Sequence, residues 1–113
     1  MDKRELIRLA ERYYTALQVA AMESAADYAT EMHSGQVRKS GEPYITHPLR
    51  VAATLIEWGM DADSVVAGIL HDTVEDTKAT LEEVKELFGR DVAFLVDGVT
   101  KVSQARSGMR DLS

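Results

Sequence analysis

The sequence predicts an all-α fold. Apolar residues recur along the chain at intervals of three and four positions, as in amphipathic helices, and no stretch alternates strictly between apolar and polar residues as a half-buried strand does. Of the 113 residues, 45% are hydrophobic and 28% are charged, a balance typical of globular proteins. Length and composition together indicate one small globular domain.

The first part of the chain is expected to form two helices, or one bent helix, that end near Gly35. The apolar positions at helical spacing are Leu6, Leu9, Ala10, Tyr13 and Leu17, followed by Ala21, Ala25, Tyr28, Ala29 and Met32. Residues 34–46 contain two glycines and a proline and show no sustained period. They are therefore predicted to form a loop.

A third and a fourth helix are predicted after this loop. Pro48 is expected at the first helical position, where a missing N–H costs nothing, and Gly59 is expected to end the third helix. Asp61 is expected to cap the fourth helix. The apolar positions are Leu49, Ala52, Ala53 and Ile56 in the third helix and Val65, Val66, Ile69 and Leu70 in the fourth.

Two more helices are predicted towards the end of the chain. Thr80 and Glu83 have the spacing of a capping box, and Gly89 is expected to end the helix that they begin. Asp91 is expected to cap a last helix that ends before Gly98. The expected inner faces are Leu81, Val84, Leu87 and Phe88 in the first of these helices and Val92, Leu95 and Val96 in the second.

Charge and composition argue against several classes of protein. With 13 Lys and Arg against 19 Asp and Glu, the net charge is −6, so DNA is not an expected partner. No apolar stretch approaches the roughly 20 residues that a bilayer crossing needs, and no signal peptide opens the chain, so no membrane association is expected. Because cysteine is absent, disulfides and thiolate chemistry are excluded, and the cytoplasm is the expected compartment.

Four ionisable residues follow the apolar fourth helix: His71, Asp72, Glu75 and Asp76. Imidazole nitrogen and carboxylate oxygen suit a divalent ion such as Mn²⁺, Fe²⁺ or Zn²⁺, and the lack of sulfur ligands favours a catalytic site over a structural zinc site. Taken alone, the His71–Asp72 pair is also consistent with a helix-end cap or a solvated turn.

His47 strengthens the metal interpretation. It begins the third helix whereas His71 ends the fourth, and two antiparallel helices joined by a short turn can bring such ends together. The alternative is that His47 merely caps its helix. His33 is expected to pack or to form hydrogen bonds near the loop rather than to bind metal.

The predicted loop carries an adjacent basic pair, Arg38 and Lys39, flanked by glycines in an otherwise acidic protein. Arginine can bind a phosphate through two hydrogen bonds or stack on a planar ring, and lysine adds a point charge. The pair therefore indicates a site for an anionic ligand, although a solvated loop with two charges is the open alternative.

Taken together, three segments resemble the hydrolase domain of the RelA/SpoT alarmone enzymes, a branch of the HD metal-dependent phosphohydrolases. The segment 33–48 reads HSGQVRKSGEPYITHP and is similar to that family's loop. The segment 71–76 reads HDTVED and is similar to its His-Asp-x-x-Glu-Asp box, and the segment 97–101 reads DGVTK and matches a third stretch. The resemblance covers essentially the whole chain and implies an HD-domain-like helical bundle.

The resemblance implies a Mn²⁺-dependent hydrolase. Such an enzyme removes the 3′-pyrophosphate from guanosine tetra- and pentaphosphate and yields GDP or GTP and pyrophosphate. The roles that it implies are metal ligation by His47, His71 and Asp72, orientation or deprotonation of the attacking water by Glu75 and Asp76, and guanine nucleotide binding by Arg38, Lys39 and Ser40.

The sequence departs from the family in one respect. The family takes a further aspartate ligand from a later helix with a Leu-Ala-Asp-Arg-Leu-His-Asn-like motif, and no such segment occurs up to Ser113. Asp91, Asp97 and Asp111 do not sit in that motif and are not assigned as ligands. Residues 1–113 are therefore expected to be the N-terminal part of an HD hydrolase domain, truncated at its C-terminal side. The alternative is a truncated stand-alone protein that binds its ligands poorly or not at all, and whether the activity is latent stays open.

The missing segment also bears on self-association and on the alternative functions of the chain. An uncovered apolar face of the bundle would favour a homo-oligomer. The alternative function is a catalytically inactive HD module that binds guanine nucleotide or a protein partner, and a third, purely structural helical fragment would bind neither metal nor nucleotide.

Overall fold

The computed structural model describes the backbone of residues 1–112 and the side chains of residues 1–102, 104 and 105. Within these residues it contains seven helices and no strand. The predicted all-α fold is therefore confirmed. The helices are α1 (Lys3–Glu11), α2 (Ala16–Met32), α3 (Thr46–Glu57), α4 (Ala62–Leu70), α5 (Thr73–Asp76), α6 (Leu81–Phe88) and α7 (Arg90–Leu112).

Side-chain caps fix the starts of several helices. The Asp61 carboxylate accepts a hydrogen bond from the Ser64 N–H at 3.1 Å, as predicted for α4. Thr80 caps α6 by accepting from the Glu83 N–H at 3.2 Å. The Glu83 carboxylate accepts from the Thr80 hydroxyl, so only half of the predicted capping box forms there.

The start of α3 differs from the prediction. The helix begins at Thr46, two residues before Pro48, and Ile45 occupies the cap position without a side-chain hydrogen bond. Proline is tolerated here because none of the first four N–H groups of a helix has a partner inside it. This earlier start places His47 within the first helical turn.

The predictions for the last two helices were wrong at three positions. Leu87 is 59% exposed, because α6 turns mainly Val84 inwards. Asp91 lies inside the first turn of α7 rather than at its cap, because Gly89 ends α6 and α7 follows at once. Finally, α7 continues through Gly98. A single glycine costs a helix interior only about 1 kcal/mol, which is too little to end the helix by itself.

Helix α4 is the centre of the bundle. It packs against α2, α3 and α7, and every residue from Val65 to Leu70 is buried. The cap of this helix, His71, therefore lies at the end of a rigid buried element, beside the first turn of α3. Among the described residues, no helix combines the length and the hydropathy that crossing a bilayer requires.

Gly89 should be needed for the sharp junction between α6 and α7. Its φ of +98° and ψ of 166° lie in a region that is essentially restricted to glycine. We expect Gly89→Ala to lower the free energy of unfolding by about 1–3 kcal/mol in urea titrations. Gly98→Ala is the matched control: no atom lies within 4 Å of the added Cβ, so we expect a gain of up to about 1 kcal/mol. Equal effects of both substitutions would contradict this assignment.

Candidate metal centre

Three side chains that the sequence singled out lie together where α3 begins and α4 ends. His47, His71 and Asp72 each offer one donor atom, and these three atoms lie within 4.8 Å of one another. The two imidazole rings are 5.6 Å apart between centroids, and His71 Nε2 lies 3.0 Å from Asp72 Oδ2. In the part of the chain that the structure describes, this is the one group of three such residues.

The tautomer of His71 follows from its backbone contact. Nδ1 lies 2.6 Å from the carbonyl oxygen of Gly68, in the last turn of α4. Since a carbonyl only accepts, Nδ1 carries the proton and the lone pair of neutral His71 is on Nε2, facing Asp72. Burial lowers the pKa of His71, but the bonds to Asp72 and to the Gly68 carbonyl outweigh it, so the pKa is raised overall.

The other two members of the cluster have pKa values that suit metal ligands. Burial, followed by the positive charge of Arg38, lowers the pKa of His47 and favours its neutral form. Burial alone would raise the pKa of Asp72, but the hydrogen bond that His71 donates when it is protonated, and the one from the Tyr44 hydroxyl, hold it below its ordinary value. Neutral imidazole and ionised carboxylate are the forms that bind metals.

The composition of this donor set fits a divalent cation. Two imidazole nitrogens and one carboxylate oxygen suit Mn²⁺, Fe²⁺ and Zn²⁺ alike. Structural zinc sites are typically built with thiolates, so this sulfur-free donor set favours a catalytic type of site.

The acidic residues of the short helix α5 lie beside this cluster. Asp76 Oδ2 is 3.1 Å from the hydroxyl of Tyr44, and that hydroxyl also donates to Asp72 Oδ2 at 2.6 Å. The backbone carbonyl of Asp76 accepts a hydrogen bond from Gln36 Nε2 at 3.2 Å. Glu75 is exposed on the same helix and is not one of the three clustered donors.

His33 has a structural environment, as expected from the sequence. It is only 3% exposed, and its Nδ1 lies 3.1 Å from Gln36 Oε1 while its Nε2 lies 3.3 Å from Thr73 Oγ1. Its ring stacks on Tyr44 at 4.3 Å between centroids. These contacts place His33 behind the cluster rather than among its donor atoms.

The predicted loop opens a cavity onto the cluster. The cavity has a volume of about 870 Å³, within the range of small-molecule sites. The residues that line it are Val37, Arg38, Lys39, Ser40, Glu42, Tyr44, His47, Arg50 and Asp72. The structure therefore brings the basic loop pair and Ser40 to the same cavity as two of the clustered donors.

Four residues of the cavity were not singled out by the sequence: Val37, Glu42, Tyr44 and Arg50. Arg50 contacts Glu42 at 3.2 Å, and its position three residues after His47 on one helix could have indicated a shared face. Tyr44 lies in the quoted loop motif, but nothing in the motif indicates its contacts with residues 28 and 32 positions away.

Asp97 pairs with Lys101 at 2.9 Å, outside the cluster, and the side chain of Asp111 lies outside the described residues.

Comparisons with known proteins agree with this geometry. The family model described as "HD domain" matches residues 25–112. The guanosine-3′,5′-bis(diphosphate) 3′-pyrophosphohydrolase of Aquifex aeolicus is 53% identical over 85 residues, which are 75% of this chain and 12% of that protein. The bifunctional (p)ppGpp synthase/hydrolase SpoT of Escherichia coli K12 is 43% identical over 101 residues, 89% of this chain and 14% of that protein.

The GTP pyrophosphokinase of Myxococcus xanthus is 53% identical over 93 residues, 82% of this chain and 12% of that protein. The chain thus spans 12–14% of the length of these curated relatives. One solved structure, of a metazoan orthologue of SpoT that hydrolyses ppGpp and plays a role in starvation responses, aligns with a TM-score of 0.67 and 35% identity. The aligned region is 77% of this chain and 49% of the chain in that structure. The resemblance to the RelA/SpoT hydrolase domain is confirmed, and the chain belongs to the HD domain family.

Proposed function

We propose that this chain is part of a metal-dependent hydrolase that removes the 3′-pyrophosphate from guanosine tetra- or pentaphosphate and yields GDP or GTP and pyrophosphate. The observation that carries the proposal is the donor cluster of His47, His71 and Asp72, with a cation-lined cavity over it. The names of the Aquifex and Escherichia relatives support this substrate class. Residues 1–113 would be the N-terminal part of an HD hydrolase domain, working in the cytoplasm without a DNA or membrane partner.

His47, His71 and Asp72 would hold the metal, for which Mn²⁺ is our proposal. When bound, such an ion lowers the pKa of a coordinated water and offsets negative charge at the attacked phosphorus. As metal ligands, the two histidines would be neutral and Asp72 ionised, so the protein donors would add only one negative charge next to an anionic substrate.

Glu75 and Asp76 would orient the attacking water or accept its proton. Tyr44 and Gln36 fix the side chain and the backbone of Asp76 near Asp72. A positioned general base typically contributes about 10²–10⁴-fold to turnover.

Arg38, Lys39 and Ser40 would hold the guanine nucleotide. The loop that carries them turns back on itself, since Arg38 N–H donates to the Glu42 carbonyl at 2.9 Å and Gly41 N–H to the Arg38 carbonyl at 2.8 Å. This turn directs the three residues to the cavity that also contains His47 and Asp72. Without these cations, the acidic box would repel a polyphosphate.

Removing the loop cations should weaken nucleotide binding and leave metal binding intact. A hydrogen bond to a charged group is worth about 1.5–3 kcal/mol, so we expect Arg38→Ala and Lys39→Ala each to weaken guanosine tetraphosphate binding by about tenfold or more. Isothermal titration calorimetry measures both affinities. Lys85→Ala, on α6 and outside the residues that line this cavity, is the control for loss of one positive charge. Unchanged nucleotide affinity in both loop variants would contradict the assignment.

We also propose that an apolar face supports self-association. Between α3, α4 and α7 lies a groove of about 300 Å³ with Val51, Leu55, Leu95 and Val99 among its lining residues, and Phe94 on α7 is 75% exposed. Sedimentation velocity over a range of protein concentrations measures whether copies of the chain associate.

The proposed function is tested first by binding. A ligand that binds only the folded state stabilises it by about 2.7 kcal/mol at a hundred times its Kd, so Mn²⁺ and guanosine tetraphosphate should each raise the melting temperature. If neither does so, both the hydrolase and an inactive binding module are excluded. Nucleotide binding without turnover in the presence of Mn²⁺ would instead identify the binding module.

A further inference from the structure

The hydroxyl of Tyr44 bridges the two aspartates to which the proposed function gives different tasks. It donates to Asp72 Oδ2 at 2.6 Å and lies 3.1 Å from Asp76 Oδ2. Burial, reinforced by Asp72 and Asp76, raises the pKa of Tyr44 well above its ordinary value, so the hydroxyl keeps its proton. One proton therefore lies between two carboxylates and reduces their mutual repulsion.

The atom that Tyr44 contacts most closely belongs to the metal cluster. Asp72 Oδ2 lies 2.6 Å from the Tyr44 hydroxyl and also 3.0 Å from His71 Nε2. A hydrogen bond to this oxygen fixes the rotation of the carboxylate relative to His71. Hydrogen bonds of this kind to ligating carboxylates commonly tune both metal affinity and activity.

The ring of Tyr44 is itself held in place. It stacks on His33 with planes 18° apart, and both ring nitrogens of His33 have hydrogen-bonding partners in Gln36 and Thr73. The Tyr44 N–H also donates to the Gln36 carbonyl at 3.2 Å. The ring that carries the hydroxyl is therefore held on one face by His33, and the backbone of Tyr44 is held by Gln36.

We propose that Tyr44 is a positioning residue that aligns Asp72 for metal binding and Asp76 for proton handling through one shared hydroxyl. The inference rests on the proposed function of these two aspartates and adds a role that the loop motif alone does not reveal. It also ties the loop that carries Arg38 to the acidic residues of α5, because Tyr44 and Gln36 both reach Asp76 from that loop.

Tyr44→Phe tests the metal half of this inference. The substitution keeps the ring and its stack on His33 and removes only the hydroxyl. We expect the Kd for Mn²⁺ alone, measured by isothermal titration calorimetry on the full chain, to rise by about 10–100-fold. Tyr28→Phe is the matched control, because the Tyr28 hydroxyl donates to the Glu83 carboxylate at 3.0 Å, between α2 and α6. The Kd of Tyr28→Phe for Mn²⁺ should stay at the wild-type value.

A double-mutant cycle tests the half that concerns Asp76. At saturating Mn²⁺, Tyr44→Phe should lower kcat for guanosine tetraphosphate about tenfold or more and change KM little, because the loop cations remain. In an Asp76→Asn background the same substitution should lower kcat much less, since its target has already been lost. A purely structural role of Tyr44 would give the same fold-change in both backgrounds.

Three outcomes separate the inference from the proposed function, and a fourth overturns both. If wild type binds Mn²⁺ and Tyr44→Phe binds it equally well, the inference is overturned and the proposed function stands. If wild type binds Mn²⁺ without hydrolysing the nucleotide, the proposed function fails, while the Kd of the variant still decides the alignment of Asp72. A loss of cooperative melting in Tyr44→Phe but not in Tyr28→Phe would make Tyr44 structural and overturn the inference, as would a wild type that binds no Mn²⁺.

Discussion

Replacing His71 with alanine should abolish Mn²⁺ binding and lower pyrophosphate release by at least about a thousandfold. The side chain presents Nε2 to Asp72 with its tautomer set by the Gly68 carbonyl, so no neighbouring residue substitutes for it. Metal ions commonly supply several kcal/mol of charge stabilisation at the transition state, and about 4 kcal/mol corresponds to about a thousandfold in rate. Calorimetry with Mn²⁺ and a pyrophosphate-release assay measure the two effects.

The control for this variant is Asp97→Asn. Asp97 pairs with Lys101 on α7 and lies outside the donor cluster, so Mn²⁺ affinity and turnover should stay at wild-type values. The melting temperature of His71→Ala without metal must show a cooperative transition for the comparison to hold. Wild-type Mn²⁺ affinity in a folded His71→Ala protein would contradict the assignment of His71 as a ligand.

Asp76→Asn should separate proton handling from metal binding. We expect kcat to fall by about 10²–10⁴-fold while Mn²⁺ affinity changes little, because Asp76 is not one of the three clustered donors. The amide keeps the size of the side chain but loses the negative charge and with it the ability to accept a proton. Steady-state kinetics at saturating Mn²⁺, together with calorimetry, measure both quantities.

Asp63→Asn offers the matching control. It makes the same chemical change in the first turn of α4, at the opposite end of that helix from His71. It should leave kcat unchanged. If Asp76→Asn turned over substrate at the wild-type rate, Glu75 alone would have to handle the proton, and the assignment of Asp76 would be wrong.

The parts of the fold that the sequence predicted well depend on local chemistry. Asp61 caps α4 and the following apolar run is buried, as the spacing indicated, because capping and amphipathic spacing act within a few residues. A glycine permits a helix to end without requiring it, so the sequence could not determine that α7 continues through Gly98. Proline at the third rather than the first position of α3 is equally compatible with local rules, so the sequence could not distinguish the two.

The contacts of the candidate site also divide into those that the sequence could predict and those that it could not. The meeting of His47 with His71 could be predicted, because it needs only two neighbouring antiparallel helices whose ends carry these residues. The bridge made by Tyr44 could not be predicted from spacing, because it joins a loop residue to two aspartates 28 and 32 positions later. Such contacts depend on how the loop folds back over α5, which helical periodicity does not determine.

Pyrophosphate release from guanosine tetraphosphate, measured with Mn²⁺ and after its removal by a chelator, distinguishes a metal-dependent hydrolase from an inactive binding module. The assay compares wild type with His71→Ala, with both proteins shown to melt cooperatively. We expect release by wild type that requires Mn²⁺, returns when Mn²⁺ is restored and is absent in the variant. Release that persists without a divalent metal, or a folded wild-type chain that binds Mn²⁺ and the nucleotide but releases no pyrophosphate, would contradict this expectation.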